Sequence, residues 1–125
     1  MTVPNFAVQL STLPGRGMMR ILDLIVENGT DASETLAPPG VGGNITDPEK
    51  VREVFGGKIA MIGGMDQFNI LTRGTKKEIR AEVRRLFEGF GEDGGYICSA
   101  SDHFFETPVE NLRIFAEAAK ECVYD

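Results

Sequence analysis

The sequence predicts an α/β fold: four β-α units carrying a parallel sheet, in a single domain spanning residues 1–125. Three observations carry that expectation. Short apolar runs bounded by glycine alternate four times with segments whose apolar residues recur at the helical period. Helix-start signals follow the later runs: Asp47-Pro48, Thr75-x-x-Glu78 and Thr107-x-x-Glu110. The length of 125 residues is enough for a real core, yet it is about half of the ~250 residues of a (β/α)8 barrel. Four units therefore amount to half of such a barrel, with a small flavodoxin-like sheet as the alternative arrangement.

The elements follow in order. "FAVQLSTL" (6–13) is apolar and partly alternating, and reads as a strand. After a Gly-Arg-Gly turn, Met18, Ile21, Leu22 and Ile25 fall at helical spacing, and Asn28-Gly29 closes that helix. "ASETLAPP" (32–39) is a second, weaker strand, leading into the glycine loop "GVGGN". Asp47 caps the next helix, and Pro48 loses only an amide that had no partner there. Val51, Val54 and Phe55 form its buried stripe.

"KIAMIGG" (58–64) is a continuous apolar run, as expected of a strand covered on both faces. Thr75 and Glu78 open a helix whose Ile79, Val83, Leu86, Phe87 and Phe90 follow the 3.6 period. Lys76, Lys77, Arg80, Arg84 and Arg85 share that helix with Glu78, Glu82 and Glu88, which reads as a solvated face and not a phosphate site. "GGYICSAS" (94–101) is the fourth strand. The last helix, opened by a second capping box at Thr107–Glu110, carries Leu112, Phe115, Ala116, Ala119 and Val123 on one face.

Composition narrows the function classes. The net charge of −6 argues against a nucleic-acid partner, which requires a basic face, and gives no support for an anionic membrane surface. No apolar run approaches the ~20 residues of a membrane span, and "MTVPNFAVQL" lacks the pattern of a secretory signal. The two cysteines, Cys98 and Cys122, form no C-x-x-C pair, so a reducing, cytoplasmic location is the expected one.

In a parallel α/β fold, ligands bind beyond the carboxyl ends of the strands. The third strand delivers Gly63, Gly64, Asp66 and Gln67 there, and the fourth delivers Asp102, His103 and Phe104. The glycines allow close approach of a ligand or a neighbouring strand. Asp66 either faces the mouth or hydrogen-bonds loop amides, as turn aspartates do. His103, the single histidine, follows a carboxylate that would tune its pKa toward neutral pH, although adjacent residues of an extended chain point apart. Phe104 would wall a pocket or cap the barrel end. Cys98, inside a strand, reads as packing and not as a nucleophile.

Several of these residues also sit in a familiar order. The strand ending Gly63-Gly64-x-Asp66, the helix entry Thr72-Arg73-Gly74-Thr75, the pair Gly94-Gly95 before the last strand and the start Thr107-Pro108-x-Glu110-Asn111 together resemble the C-terminal part of the uroporphyrinogen decarboxylase family. The upstream "MMRILDLIVENGTDASETLAPPGVGGNITDPEKVREVFG" fits as well. The resemblance implies the C-terminal half of a (β/α)8 barrel, with the active site in a cleft at the strand C-termini. It implies one of two chemistries: cofactor-free removal of acetate carboxyl groups from uroporphyrinogen, or methyl transfer between corrinoid proteins and acceptors, often with zinc.

The family's main catalytic aspartate and substrate-carboxylate arginines belong to its N-terminal half and have no counterpart here. The methyltransferase branch has a His-x-Cys-Gly motif where this chain reads "STLPGRG", so no metal and no cofactor are expected. Where the decarboxylase has Gly-His, this chain has Asp102 followed by His103. The resemblance thus implies His103 and Asp102 as catalytic residues. It implies Gly63, Gly64, Asp66, Gln67 and Phe104 as the substrate-binding set for a tetrapyrrole or other small molecule. Four parallel strands would leave two open edges and an apolar inner face, which predicts a homodimer whose two half-barrels build an eight-stranded barrel or a continuous sheet and bury "IAMIGG".

Overall fold

A computed structural model describes residues 6–7, 19, 21–27, 29, 31–34, 36–43, 45–101 and 106–122. The elements run β1 (Phe6–Ala7), α1 (Leu22–Glu27), β2 (Ala32–Ser33), a 3-10 turn (Pro39–Val41), α2 (Pro48–Phe55), β3 (Ala60–Met65), a π-helical turn (Gln67–Thr72), α3 (Lys76–Phe90), β4 (Tyr96–Ala100) and α4 (Val109–Glu121). All strand pairs are parallel, and the sheet order is β1-β2-β3-β4. A sequential order with right-handed crossovers lays every helix on one face, as in a barrel wall. A doubly wound sheet would reverse its order at a switch point. Packing agrees with the barrel arrangement: α1 lies against α2, α2 against α3, and α3 against α4, β3 and β4.

The core lies between sheet and helices. Val51 and Phe55 of α2, Met61 and Met65 of β3, and Val83, Leu86 and Phe90 of α3 are fully buried there with Leu36 and Leu71. Tyr96 stacks on Phe90 at 5.1 Å, meets Phe87 edge-on at 5.3 Å, and donates its hydroxyl hydrogen to the Gly63 carbonyl at 2.6 Å. Register places Met61 beside Tyr96 and Ile62 beside Ile97. Alternation then turns Ile62 and Ile97 toward the opposite face, where Ile97 stays 58% exposed. Of "IAMIGG", Ile59, Met61, Gly63 and Gly64 are already covered within the chain. Among the described residues the open apolar face therefore holds Ile97 with the half-buried Ile62 of that run beside it.

Asp47 caps α2 through the Lys50 amide (3.1 Å), and Thr75 caps α3 through the Glu78 amide (3.2 Å), as the sequence predicts. Other expectations need correction. The strand expected over 32–39 is a strand only at Ala32–Ser33; Pro38 and Pro39 have no amide hydrogen for a ladder. Of the first expected strand, Phe6–Ala7 is described and 8–13 lies outside the described residues. No capping box forms at Thr107: Pro108 is the N-cap, with no side-chain bond, and the Thr107 hydroxyl pairs with that of Thr72 at 2.7 Å. The buried stripe of α4 is wider than expected: Leu112, Phe115 and Ala119 pack partly buried against the core, Ile114 and Ala118 are buried beside them, and Ala116 is exposed. The cause is Asn111, whose amide donates to the Leu71 and Thr72 carbonyls and so fixes the rotation of the helix. Residues three and seven further on share its face.

Gly63 and Gly64 both have positive φ, 117° and 95°. A β-carbon on Gly64 would lie 3.0 Å from Phe90, 3.1 Å from the Tyr96 hydroxyl and 3.2 Å from Leu86. Gly64→Ala therefore combines backbone strain with overpacking, and is expected to cost about 3 kcal/mol. Gly29→Ala, at φ 74° with open space around it, should cost about 1 kcal/mol. Urea unfolding midpoints of the two variants check this, and equal losses would rule out the packing argument.

Candidate active site

The carboxyl end of β3 is built around Asp66, which is 7% exposed. Its Oδ1 accepts from the backbone amides of Phe68 (3.0 Å) and Asn69 (2.7 Å), and its Oδ2 accepts from Asn69 Nδ2 at 2.9 Å. Asn69 Nδ2 also donates to the Gly40 carbonyl at 3.0 Å. Gly40 approaches so closely that a β-carbon there would sit 2.5 Å from Asp66 Oδ2. One carboxylate thus caps the π-helical turn and locks the β2–α2 loop to the β3–α3 connection.

The far end of the turn is held as firmly. The Thr72 hydroxyl donates to the Gln67 carbonyl at 2.7 Å, so Thr107 is the donor in their shared bond, since a hydroxyl has one hydrogen. Asn111 Nδ2 covers the Leu71 (2.9 Å) and Thr72 (3.3 Å) carbonyls. Leu71 N donates to the Asp66 carbonyl at 3.0 Å, the i→i+5 bond of a π turn. On this frame Phe68 is half exposed, and the Arg73 guanidinium lies 4.3 Å from its ring centroid.

Two polar atoms are left over at this end. Gln67 Oε1 and Ser101 Oγ are buried and have no hydrogen-bond partner among the described residues. Ser101 N donates to the Met65 carbonyl at 3.0 Å, which sets Ser101 beside the end of β3. Buried groups without partners cost about 1–3 kcal/mol each, so a water or ligand atom reaching them would recover that free energy. Ser33 Oγ is a third such atom, but it lies lower in the sheet, in register with Met61.

Of the residues expected from the sequence, Gly63, Gly64, Asp66 and Gln67 come together at one strand end. Asp102, His103 and Phe104 lie outside the described residues. Asp66 is engaged with loop amides, Gly64 is required by the packing of α3 and Tyr96 over β3, and Gly63 holds a positive φ and accepts from the Tyr96 hydroxyl. Asn69 and Asn111 fix the loops; the sequence pointed to Asn111 only as part of the Thr107-Pro108-x-Glu110-Asn111 motif and did not point to Asn69. The Asp-x-x-Asn spacing at 66–69 is the local signal for Asn69; the bond of Asn111 acts across 40 residues, which no local spacing encodes.

Burial pushes the Cys98 thiol up to about 11, so at neutral pH it is no thiolate nucleophile. Burial likewise raises Tyr96, which stays a neutral donor. Among the described residues, no group of three or more His, Cys, Asp or Glu side chains could hold a metal ion. No helix among them is long and apolar enough to cross a membrane.

The uroporphyrinogen decarboxylase (URO-D) family model matches residues 13–122. A uroporphyrinogen decarboxylase from Danio rerio is 38% identical over 73 residues, which is 58% of this chain and 19% of that protein. A methyltransferase structure from Methanosarcina mazei superposes with a TM-score of 0.56 at 23% identity, covering 81% of this chain and 27% of that one. The latter is a likeness of fold. In both comparisons the matched region is less than a third of the relative's length.

Two outcomes are expected. Asp66→Ala strips the cap from two amides and frees Asn69, costing about 2 kcal/mol, whereas Asp66→Asn, which keeps one acceptor oxygen, costs roughly half as much. Urea midpoints and hydrogen exchange at the Phe68 and Asn69 amides measure both. The second concerns pH. Cys98 ionises near 9 when unfolded and about 11 when folded, so the unfolded chain loses its proton first as pH rises. The stabilisation is complete below pH 9 and is lost toward pH 11. Cys98→Ala should flatten the fall of the unfolding midpoint across that window.

Proposed function

The chain belongs to the uroporphyrinogen decarboxylase family, and from that premise we propose that it forms one wall of a tetrapyrrole-decarboxylating cleft, incomplete as an isolated chain. The observation that carries the reading is the match over residues 13–122, supported by the identity to a uroporphyrinogen decarboxylase. Gly63, Gly64 and Asp66 would shape the wall, and Gln67 would offer its unpaired acceptor to substrate. In the reaction an acetate carboxyl leaves as CO2, and the electron pair left on carbon takes up a proton. His103, with Asp102 beside it, is the proposed proton carrier, and Phe104 an apolar contact. The second wall would come from a second copy, the two half-barrels pairing β1 of one with β4 of the other. Both are edge strands of a parallel sheet, and Ile97 on the inner face is exposed. Methyl transfer between a corrinoid protein and an acceptor is the less supported chemistry, because the methyltransferase likeness is one of fold.

Light scattering, uroporphyrin titration and a uroporphyrinogen turnover assay test this together. Expected are a dimer that binds uroporphyrin, and decarboxylation confined to the dimer fraction and reduced about 100-fold or more in His103→Ala. Binding without turnover would assign a non-catalytic half-barrel. A monodisperse monomer that binds no porphyrin would overturn the reading.

A further inference from the structure

The Thr72-Arg73-Gly74-Thr75 stretch supplies more than a helix entry. Arg52, Arg80 and Arg85 each hold a carboxylate, on Glu92, Glu121 and Glu82 respectively. Arg73 holds none among the described residues. Its guanidinium lies instead 4.3 Å from the ring centroid of Phe68, itself 49% exposed. Both residues belong to the β3–α3 connection, at the carboxyl end of the sheet. We propose that Arg73, stacked on Phe68, is a carboxylate-gripping site of the cleft mouth, fitted to an anionic ligand with an apolar or aromatic body.

Geometry favours this in three ways. A guanidinium that lies over a ring has its face covered while its N–H groups radiate from the edge, the arrangement that takes a carboxylate through two parallel hydrogen bonds. The uncovered part of Phe68 offers apolar area to whatever carries that carboxylate. The pair is also held in place before any ligand arrives. Residues five apart stand roughly 140° apart around an α-helix. Here the π turn, with its i→i+5 bond from Leu71 to Asp66, brings positions 68 and 73 together. Asp66 fixes the amides at the front of that turn and Asn111 the carbonyls at its back. Arg73 N itself donates to the Ile70 carbonyl. Little ordering is left to be done on binding, which favours affinity. In a chain of net charge −6, such a cation would also set where an anion can dock.

The inference rests on the tetrapyrrole reading for the identity of its ligand but not for its chemistry, and two probes separate them. Uroporphyrin, with eight carboxylates, and its methyl ester are titrated by fluorescence; mellitate, a small aromatic polycarboxylate, is titrated by NMR. The proteins are the full chain, Arg73→Gln, Arg73→Lys and Phe68→Ala. Loss of one charge-assisted pair predicts roughly tenfold weaker binding of both acids in Arg73→Gln. Arg73→Lys, which keeps charge but not the fork, should lose about threefold. The ester should bind equally to the full chain and Arg73→Gln. Both side chains are exposed, so the urea midpoint should hold, and a changed midpoint with unchanged affinity would count against the proposal. Mellitate binding through Arg73 without porphyrin binding leaves this site standing and removes the tetrapyrrole reading. Porphyrin binding that is indifferent to Arg73→Gln does the reverse. A chain that binds neither acid overturns the inference.

Discussion

The Asp66 carboxylate is the constraint on which the carboxyl end of the sheet depends. It sits where β3 stops, is nearly buried, and takes up three N–H groups from a turn that would otherwise carry unpaired donors. Through Asn69 it reaches the Gly40 carbonyl and so joins two loops from adjacent β-α units. A buried carboxylate is costly unless its oxygens are occupied. Here the occupation is local on one oxygen and reaches across to a second loop through the other. The positions of Gln67, Phe68 and Arg73 follow from it, because all three belong to the turn that it caps.

Below that end, the glycine pair of β3 and the aromatic group on α3 and β4 depend on each other. Gly63 and Gly64 adopt backbone angles that side chains resist, and the space beside Gly64 is filled by Phe90, Leu86 and Tyr96. Tyr96 then satisfies the Gly63 carbonyl. The helix layer is thereby drawn tightly onto one face of the sheet. The other face, with Ile62 and Ile97, has no layer of its own among the described residues. That asymmetry is what half of a barrel wall looks like, and it agrees with a match that covers less than a third of either relative.

Most of the architecture was legible in the sequence because its signals are local. Capping residues Asp47 and Thr75, the 3.6-residue period of α3, and the apolar run of β3 each act within a few residues, and each reappears in the structure. The resemblance carried by Gly63-Gly64-x-Asp66 and Thr107-Pro108-x-Glu110-Asn111 pointed to the family that the residue 13–122 match identifies. The expectations that failed were those decided at a distance. Thr107 has the spacing of a cap, yet its hydroxyl finds Thr72 across 35 residues. Asn111, reaching the end of the π turn, holds α4 so that Ile114 and Ala118 are buried beside the expected Leu112, Phe115 and Ala119.

Local pattern was enough to set the β-α alternation, the helix starts at Asp47 and Thr75 and the delivery of Asp66 and Gln67 to a strand end, because period and capping are properties of neighbouring residues. Tertiary structure alone decided what those residues do there. It tied Asp66 to Asn69 and Gly40, and wound 67–72 as a π turn that brings Arg73 onto Phe68. It also left Gln67 Oε1 and Ser101 Oγ without partners among the described residues. These outcomes turn on which loops meet, and a chain's local pattern does not encode the distance between segments 29 or 40 residues apart.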